Sequence, residues 1–258
     1  MPNEELVHTD RARAESFGSV AEQYDRYRPS YPGPLIDDLV ALRPGSILDV
    51  GCGTGKAAVL LAARGLSVLG VEIDARMAAV ARTHGLSVEV GAFETWDDAG
   101  RRFDLITCGQ AWHWMDPKRG PIKAAEVLRP AGILALFWNY GELDPRAQAA
   151  LDDVYRRHAP ELLSSVVSGR SRQSDGRHAA ELEASGRFTS VETRTYQWQH
   201  RHSAADWVAT VQTHSDHLRL PADRRACLAA DLITAIDGLG GAIDSQVRTY
   251  AMFAGRER

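Results

Sequence analysis

Asp49, Gly51, Gly53, Gly55 and Glu72 are the residues whose types and spacing best suit chemistry. The first four lie in Ile47-Leu48-Asp49-Val50-Gly51-Cys52-Gly53-Thr54-Gly55, an apolar run that enters a glycine-rich turn. Glu72 ends a second apolar run, Val68-Leu69-Gly70-Val71. Glycines let a backbone turn sharply and approach a ligand with no Cβ in the way. A helix that starts at the turn presents its first, unpaired N–H groups to the same ligand. Glu72, twenty-one residues after Gly51, is placed to accept hydrogen bonds from a ribose diol. These five residues predict a site for a nucleoside cofactor.

The spacing is not that of a dinucleotide site. That fingerprint is Gly-x-Gly-x-x-Gly, whereas Gly51-x-Gly53-x-Gly55 is one residue shorter. Asp49 would repel a pyrophosphate but suits an ammonium or a hydroxyl, so a nicotinamide-dependent dehydrogenase is disfavoured. The second constellation is Trp112-His113-Trp114. Two tryptophans just past a strand end are costly on a surface unless they line a pocket. His113 either takes a proton from a substrate hydroxyl or bonds a carbonyl and shapes the pocket. Trp138, Asn139 and Tyr140 end a fifth strand and are read as the opposite wall. His200 with His202, and His214 with His217, share faces, but no carboxylate or cysteine stands at ligand spacing, so no metal is expected.

Strand-like and helix-like segments alternate between residues 33 and 139, which predicts a parallel sheet with crossover helices. Strands are expected at 46–50, 67–72, 87–91, 103–108 and 133–139, and helices at 33–42, 55–64, 75–83 and 121–128. Gly65, Gly85 and Pro130-Ala131-Gly132 mark helix ends. Ligands in such sheets bind beyond the carboxyl ends of the strands. Asp49, Glu72, Phe93, Gln110 and Asn139 all fall there. Upstream, residues 9–27 read as one amphipathic helix that breaks at Arg28-Pro29 and Tyr31-Pro32. Downstream, 142–163 read as helix, 164–177 as a mobile loop, and 191–201 and 244–254 as strands. Helices at 204–218 and 222–239 would cover the site as a lid.

The chain has 258 residues, 44% hydrophobic and 25% charged, as in ordinary globular proteins. One domain is expected: a cap at 1–32, a cofactor-binding core at 33–140 and a lid-bearing part at 141–258. A net charge of −4 argues against a nucleic-acid footprint. Cys52, Cys108 and Cys227 form no even framework and read as reduced thiols of a cytoplasmic protein. No secretory signal is evident, and no apolar run approaches the ~20 residues that span a membrane.

At Asp49-x-Gly51-x-Gly53-x-Gly55 the chain resembles the class I S-adenosylmethionine-dependent methyltransferases. The resemblance covers roughly residues 14–140. It includes Phe17-x-x-x-Ala21-x-x-Tyr24-Asp25-x-x-Arg28-Pro29, Val71-Glu72-Ile73-Asp74-x-x-Met77, Gly91-Ala92-Phe93-Glu94, Gln110-Ala111-Trp112-His113-Trp114 and Leu128-Arg129-Pro130-Ala131-Gly132-Ile133-Leu134. The His-Trp pair is similar to that of the small-molecule enzymes related to trans-aconitate methyltransferase. The resemblance implies a doubly wound, mainly parallel seven-stranded α/β sheet of Rossmann-like type. It implies S-adenosyl-L-methionine as cofactor, a small-molecule methyl acceptor, and Tyr24, Arg28, Asp49, Gly51, Cys52, Gly53, Gly55, Glu72, Ile73, Phe93, Glu94 and Gln110 as cofactor contacts. Trp112, His113, Trp114, Trp138 and Tyr140 would face the acceptor, with His113 as the candidate base. Asp49 would balance the cofactor's ammonium, and Tyr24 and Arg28 would close its amino-acid end. Many members carry at position 92 an acid for the adenine amino group; this chain has Ala92. Phe93 then either gives adenine an apolar face and a backbone N–H or is ordinary core. Asp74 reads as a helix N-cap. Alternatives are an RNA or protein methyltransferase and a cofactor-binding protein with no turnover.

Overall fold

Apolar runs and helix signals occupy the expected places along the chain. A computed structural model describes residues 15–163 and 172–257. The described helices are α1 (Ala21–Tyr27), α2 (Gly33–Ala41), α3 (Lys56–Ala62), α4 (Ala75–Thr83), α5 (Arg119–Val127), α6 (Pro145–His158), α7 (Arg172–Ala184), α8 (Ala204–Gln212), α9 (Ser215–Leu218) and α10 (Ala222–Asp237). The strands are β1 (Ile47–Val50), β2 (Val68–Glu72), β3 (Ser87–Val90), β4 (Phe103–Gly109), β5 (Leu128–Leu143), β6 (Phe188–Ser203) and β7 (Ala242–Arg256). They form one seven-stranded sheet in the order β3-β2-β1-β4-β5-β7-β6. β1 to β5 pair in parallel, and β7 runs antiparallel to both β5 and β6. This is the doubly wound, mainly parallel seven-stranded α/β sheet of Rossmann-like type that was expected.

Residues of opposite parity along the strands pack into different cores. Leu48, Val50, Ile106, Leu134 and Leu136 pack with α5 and α7 residues such as Val127 and Leu182. Ile47, Leu105, Ala135 and Phe137 pack with Leu35, Leu39 and Leu61 of α2 and α3. Burial on both faces explains why these strands read as continuous apolar runs. A separate cluster, with Leu151, Tyr155, Val208, Leu232 and Ile236, joins α6, α8 and α10 into a helical lobe.

Four expectations are corrected. Residues 15–27 are a 3-10 helix (Glu15–Val20) followed by α1, not one α-helix; residues 9–14 lie outside the described residues. The expected loop at 164–177 overlaps α7, which starts at Arg172; residues 164–171 lie outside the described residues. The helix expected at 204–218 breaks at Thr213. There the Thr213 carbonyl and hydroxyl are taken by the Arg28 guanidinium, from Nη2 at 3.3 Å and Nε at 2.8 Å, so the carbonyl is diverted from its helix. β5 runs to Leu143, beyond 139, because β7 pairs with it from Ile133 to Leu143.

Candidate functional site

The strand order reverses between β1 and β4, which opens a crevice beyond their carboxyl ends. β1 delivers Asp49 there, opposite Thr107 of β4 in register. Asp49 is 1% exposed. The Thr107 hydroxyl donates to its Oδ1 at 2.7 Å, while Oδ2 has no hydrogen-bond partner. Burial pushes its carboxyl up to about 7, against the Thr107 hydrogen bond and with added repulsion from Glu72. The turn that follows is left-handed at Gly51, Gly53 and Gly55, with φ of 60°, 57° and 88°. A Cβ on Gly51 would stand 2.6 Å from that of Ala111, so only glycine fits under the loop after β4.

Glu72 ends β2, is 7% exposed, and braces the turn. The Gly53 N–H donates to its Oε2 at 2.8 Å and the Asp74 N–H to its Oε1 at 2.9 Å. Burial raises its pKa, and those backbone donors oppose the rise. Each oxygen accepts one of these N–H groups, and a carboxylate has about four acceptor positions, so capacity remains for hydroxyl donors. Asp74 caps α4 as expected, accepting from the Arg76 N–H. Gln110, at the end of β4, has φ of 60°. A left-handed conformation in a non-glycine residue stores strain of the kind found at functional sites.

The residues around 15–32 form a strap over this crevice. Arg28 leaves α1 in an extended conformation, and its guanidinium stacks 5.1 Å from the Tyr24 ring centre. Burial lowers the Arg28 pKa, and Tyr24 and Tyr31 oppose that shift. Phe17 meets both Tyr24 and Trp114 edge-on, at 5.9 and 6.1 Å. Trp114 in turn lies 4.9 Å from the His113 ring, so strap and Trp112–Trp114 turn close on one another. His113 and Trp114 are half-buried.

Several expected contacts are corrected. Trp112 is 1% exposed and belongs to the core with Val50, Ile106 and Leu128; the 3-10 turn (Trp112–Trp114) sends its ring inward and so supports the crevice from beneath. Phe93 is 2% exposed in the same core, so its ring is ordinary core and only its backbone is left for adenine. Trp138 is 4% exposed and stacks on His178 of α7 at 5.0 Å, on the α7 side of the sheet and not as an acceptor wall. The Cys52 side chain packs inward with Ala78, Ala81 and Val88, which leaves only its backbone toward the turn. Glu94 accepts the Asp116 N–H at 2.8 Å and ties down the loop after Trp114. Tyr140 has the Arg248 guanidinium over its ring at 5.0 Å. Ile73 is half-buried beside Glu72. His200 and His202 are neighbours on β6, and among the described residues no group of three or more His, Cys, Asp or Glu could hold a metal ion.

Sequence reasoning missed Thr107, Tyr31 and Thr213. Thr107 had a signal: two residues before the end of β4, it must face Asp49 if both strands are parallel and in step. Tyr31 was read only as a helix break between prolines.

Residues 47–132 match a family described as a methyltransferase domain. An uncharacterized methyltransferase of Mycobacterium tuberculosis is 41% identical over 129 residues, 48% of this chain and 52% of the relative. The chain thus spans about half the length of the mycobacterial relatives it matches. A ubiquinone biosynthesis O-methyltransferase of Pseudomonas syringae pv. syringae is 29% identical over 159 residues, 55% of this chain and 68% of the relative. Among solved structures, a protein of Anaeromyxobacter dehalogenans provisionally assigned as a type II methyltransferase superposes with a TM-score of 0.64 at 24% identity, over 89% of this chain and 98% of that one. The phosphoethanolamine N-methyltransferase 2 of Haemonchus contortus, solved with phosphomonomethylethanolamine and S-adenosylhomocysteine, superposes with a TM-score of 0.52 at 14% identity, over 95% of this chain and 60% of that one. At these identities the structures speak for the shared fold alone. Residues 47–132 of this chain are thus similar to a methyltransferase domain, and they lie on a Rossmann-like sheet of the fold these structures share.

Proposed function

We propose that the protein transfers the methyl group of S-adenosylmethionine to a small-molecule acceptor. One observation carries this reading: the buried Asp49 Oδ2 has no partner, at the tip of β1 and beside a left-handed glycine turn. An unpaired buried carboxylate oxygen is costly, and an ammonium supplies what it lacks. The other residues suit the same cofactor. The Gly51–Gly55 backbone lies along the amino-acid and ribose portions, Glu72 accepts from the ribose hydroxyls, and Tyr24 and Arg28 take the carboxylate. The Phe93 backbone and Ile73 flank adenine, and Gln110 borders the reacting end. When bound, the cofactor supplies a methyl group made electrophilic by its sulfonium.

His113 and Trp114 form the acceptor side. A Trp114 ring face near the positive sulfur adds ~0.5–2 kcal/mol of attraction and excludes water. His113 accepts the proton of an acceptor hydroxyl as the methyl arrives. Positioning in line supplies most of the acceleration, about 7–11 kcal/mol. A small acceptor is favoured by the net charge of −4, by the helical lid, and by the likeness to a ubiquinone biosynthesis O-methyltransferase. The Trp112-His113-Trp114 run keeps the trans-aconitate type as the finer assignment, and the reduced thiols keep a cytoplasmic one.

Calorimetry and thermal melting with S-adenosylhomocysteine test this. At 100 times its dissociation constant the ligand adds ~2.7 kcal/mol to stability. Glu72→Gln leaves a single acceptor oxygen for the diol and should weaken binding about tenfold or more. Nicotinamide nucleotides should give no shift. Absence of heat with S-adenosylhomocysteine would refute the reading.

A further inference from the structure

The strap carries a hydroxyl that nothing above uses. Pro29 and Pro32 hold the segment extended, and the Ser30 carbonyl accepts from Asn139 Nδ2 at 2.9 Å, which pins it to β5. Tyr31 therefore enters the crevice, its ring edge-on to Phe137 at 4.7 Å and 84°. Its Oη stands 2.4 Å from where a Cβ on Gly109 would be, so only glycine at the end of β4 admits it. Gly109 lies at the strand reversal, two residues past Thr107, the partner of Asp49.

Two features suit this hydroxyl to a ligand. The side chain is half-buried, and its hydroxyl has no hydrogen-bond partner among the described residues, which leaves it available to a ligand. It also lies within the field of two uncompensated groups of opposite sign, Asp49 and Arg28. Asp49 Oδ2 is buried and unpartnered. Arg28 bonds the neutral Thr213 and stacks on Tyr24, and no carboxylate pairs with it among the described residues. A buried carboxylate of this kind is stable only with a partner. Burial holds the Tyr31 phenol far above its ordinary pKa, with Tyr24, Asp49 and Cys108 adding and Arg28 opposing, so it is a neutral donor and acceptor.

We propose that Tyr31 completes a zwitterion pocket, its hydroxyl bridging the ammonium held by Asp49 and the carboxylate held by Arg28 of one α-amino-acid group. The proposal rests on the function above, in which that group is the amino-acid end of the cofactor. Tyr31→Phe keeps the ring against Phe137 and breaks no hydrogen bond of the empty protein, so its unliganded melting temperature should match wild type. Calorimetry would compare S-adenosylhomocysteine with 5′-methylthioadenosine, which has the same adenosine and thioether but no amino-acid group. The variant should bind S-adenosylhomocysteine about tenfold more weakly and 5′-methylthioadenosine as wild type does. Equal losses for both ligands, or no loss for either, would overturn the role of Tyr31 and leave the proposed function standing. Wild-type protein that binds 5′-methylthioadenosine as tightly as S-adenosylhomocysteine would overturn the pocket itself. Wild-type protein that binds neither would overturn the function with it.

Discussion

Asp49 concentrates the chemistry of this molecule in one side chain. Its carboxyl is pushed from 3.8 up to about 7, first by burial and further by Glu72, with Thr107 opposing. The sign of the linkage follows. A folded pKa above the unfolded one stabilises the empty protein fully below about pH 3.8, and that contribution is lost as pH rises through about 7. Cofactor binding has the opposite preference, because an ammonium needs the ionised carboxylate. Affinity for S-adenosylhomocysteine should therefore rise as pH rises toward 7 and level off above it. Below the pKa, binding should release close to one proton, measurable by calorimetry in buffers of different ionisation heat. Asp49→Asn should bind more weakly and flatten the profile across that range. A wild-type profile already flat from pH 5 to 8 would mean that Asp49 does not meet the ammonium.

At the scale of elements, two identical residues in one turn take opposite roles. Trp112 goes under the sheet tips and Trp114 goes out to meet Phe17, although both read alike in the chain. Trp112→Ala should leave a core cavity and cost about 3–5 kcal/mol in denaturant melts. Trp114→Ala removes, among its contacts, the edge-on one with Phe17, about 0.5–1.5 kcal/mol, and should instead loosen the strap. Equal destabilisation by both would contradict this division. The same contrast shows what the chain made legible. The β1 turn, Glu72 at the tip of β2 and α4 with its Asp74 cap were readable because apolar period, glycine and cap residue agree locally. The inward turn of Trp112, the burial of Phe93 and the stacking of Trp138 on His178 were not, because each depends on a partner far along the chain. The break at Thr213 is the clearest case, since the residue bonded there, Arg28, lies 185 positions away.

Across the whole molecule, the strap and the expected lid, residues 204–218, are tied beside the place proposed to hold the cofactor. Arg28 donates to Thr213, and the Thr210 hydroxyl donates to the Tyr27 carbonyl at 3.0 Å, so the end of α8 rests on the end of α1. A second chain runs from Trp198 Nε1 to Thr249 Oγ1 and on to Asn139 Oδ1, while Asn139 Nδ2 donates to Ser30. The outer strands are thus bonded through β5 to the strap beside Tyr31. A ligand that orders the strap must then also hold the lid, since local opening of either breaks shared bonds. S-adenosylhomocysteine should accordingly slow amide exchange at residues 21–31 and 204–218 together, although only the first stretch is proposed to contact it. Thr213→Val removes the hydroxyl that accepts from Arg28, a charge-assisted bond worth about 1.5–3 kcal/mol. In that variant the ligand should still protect the strap, while protection of 204–218 falls by roughly ten- to a hundredfold. Protection that stays equal in both stretches would show that the lid is held by the α6–α8–α10 lobe and moves independently of the site.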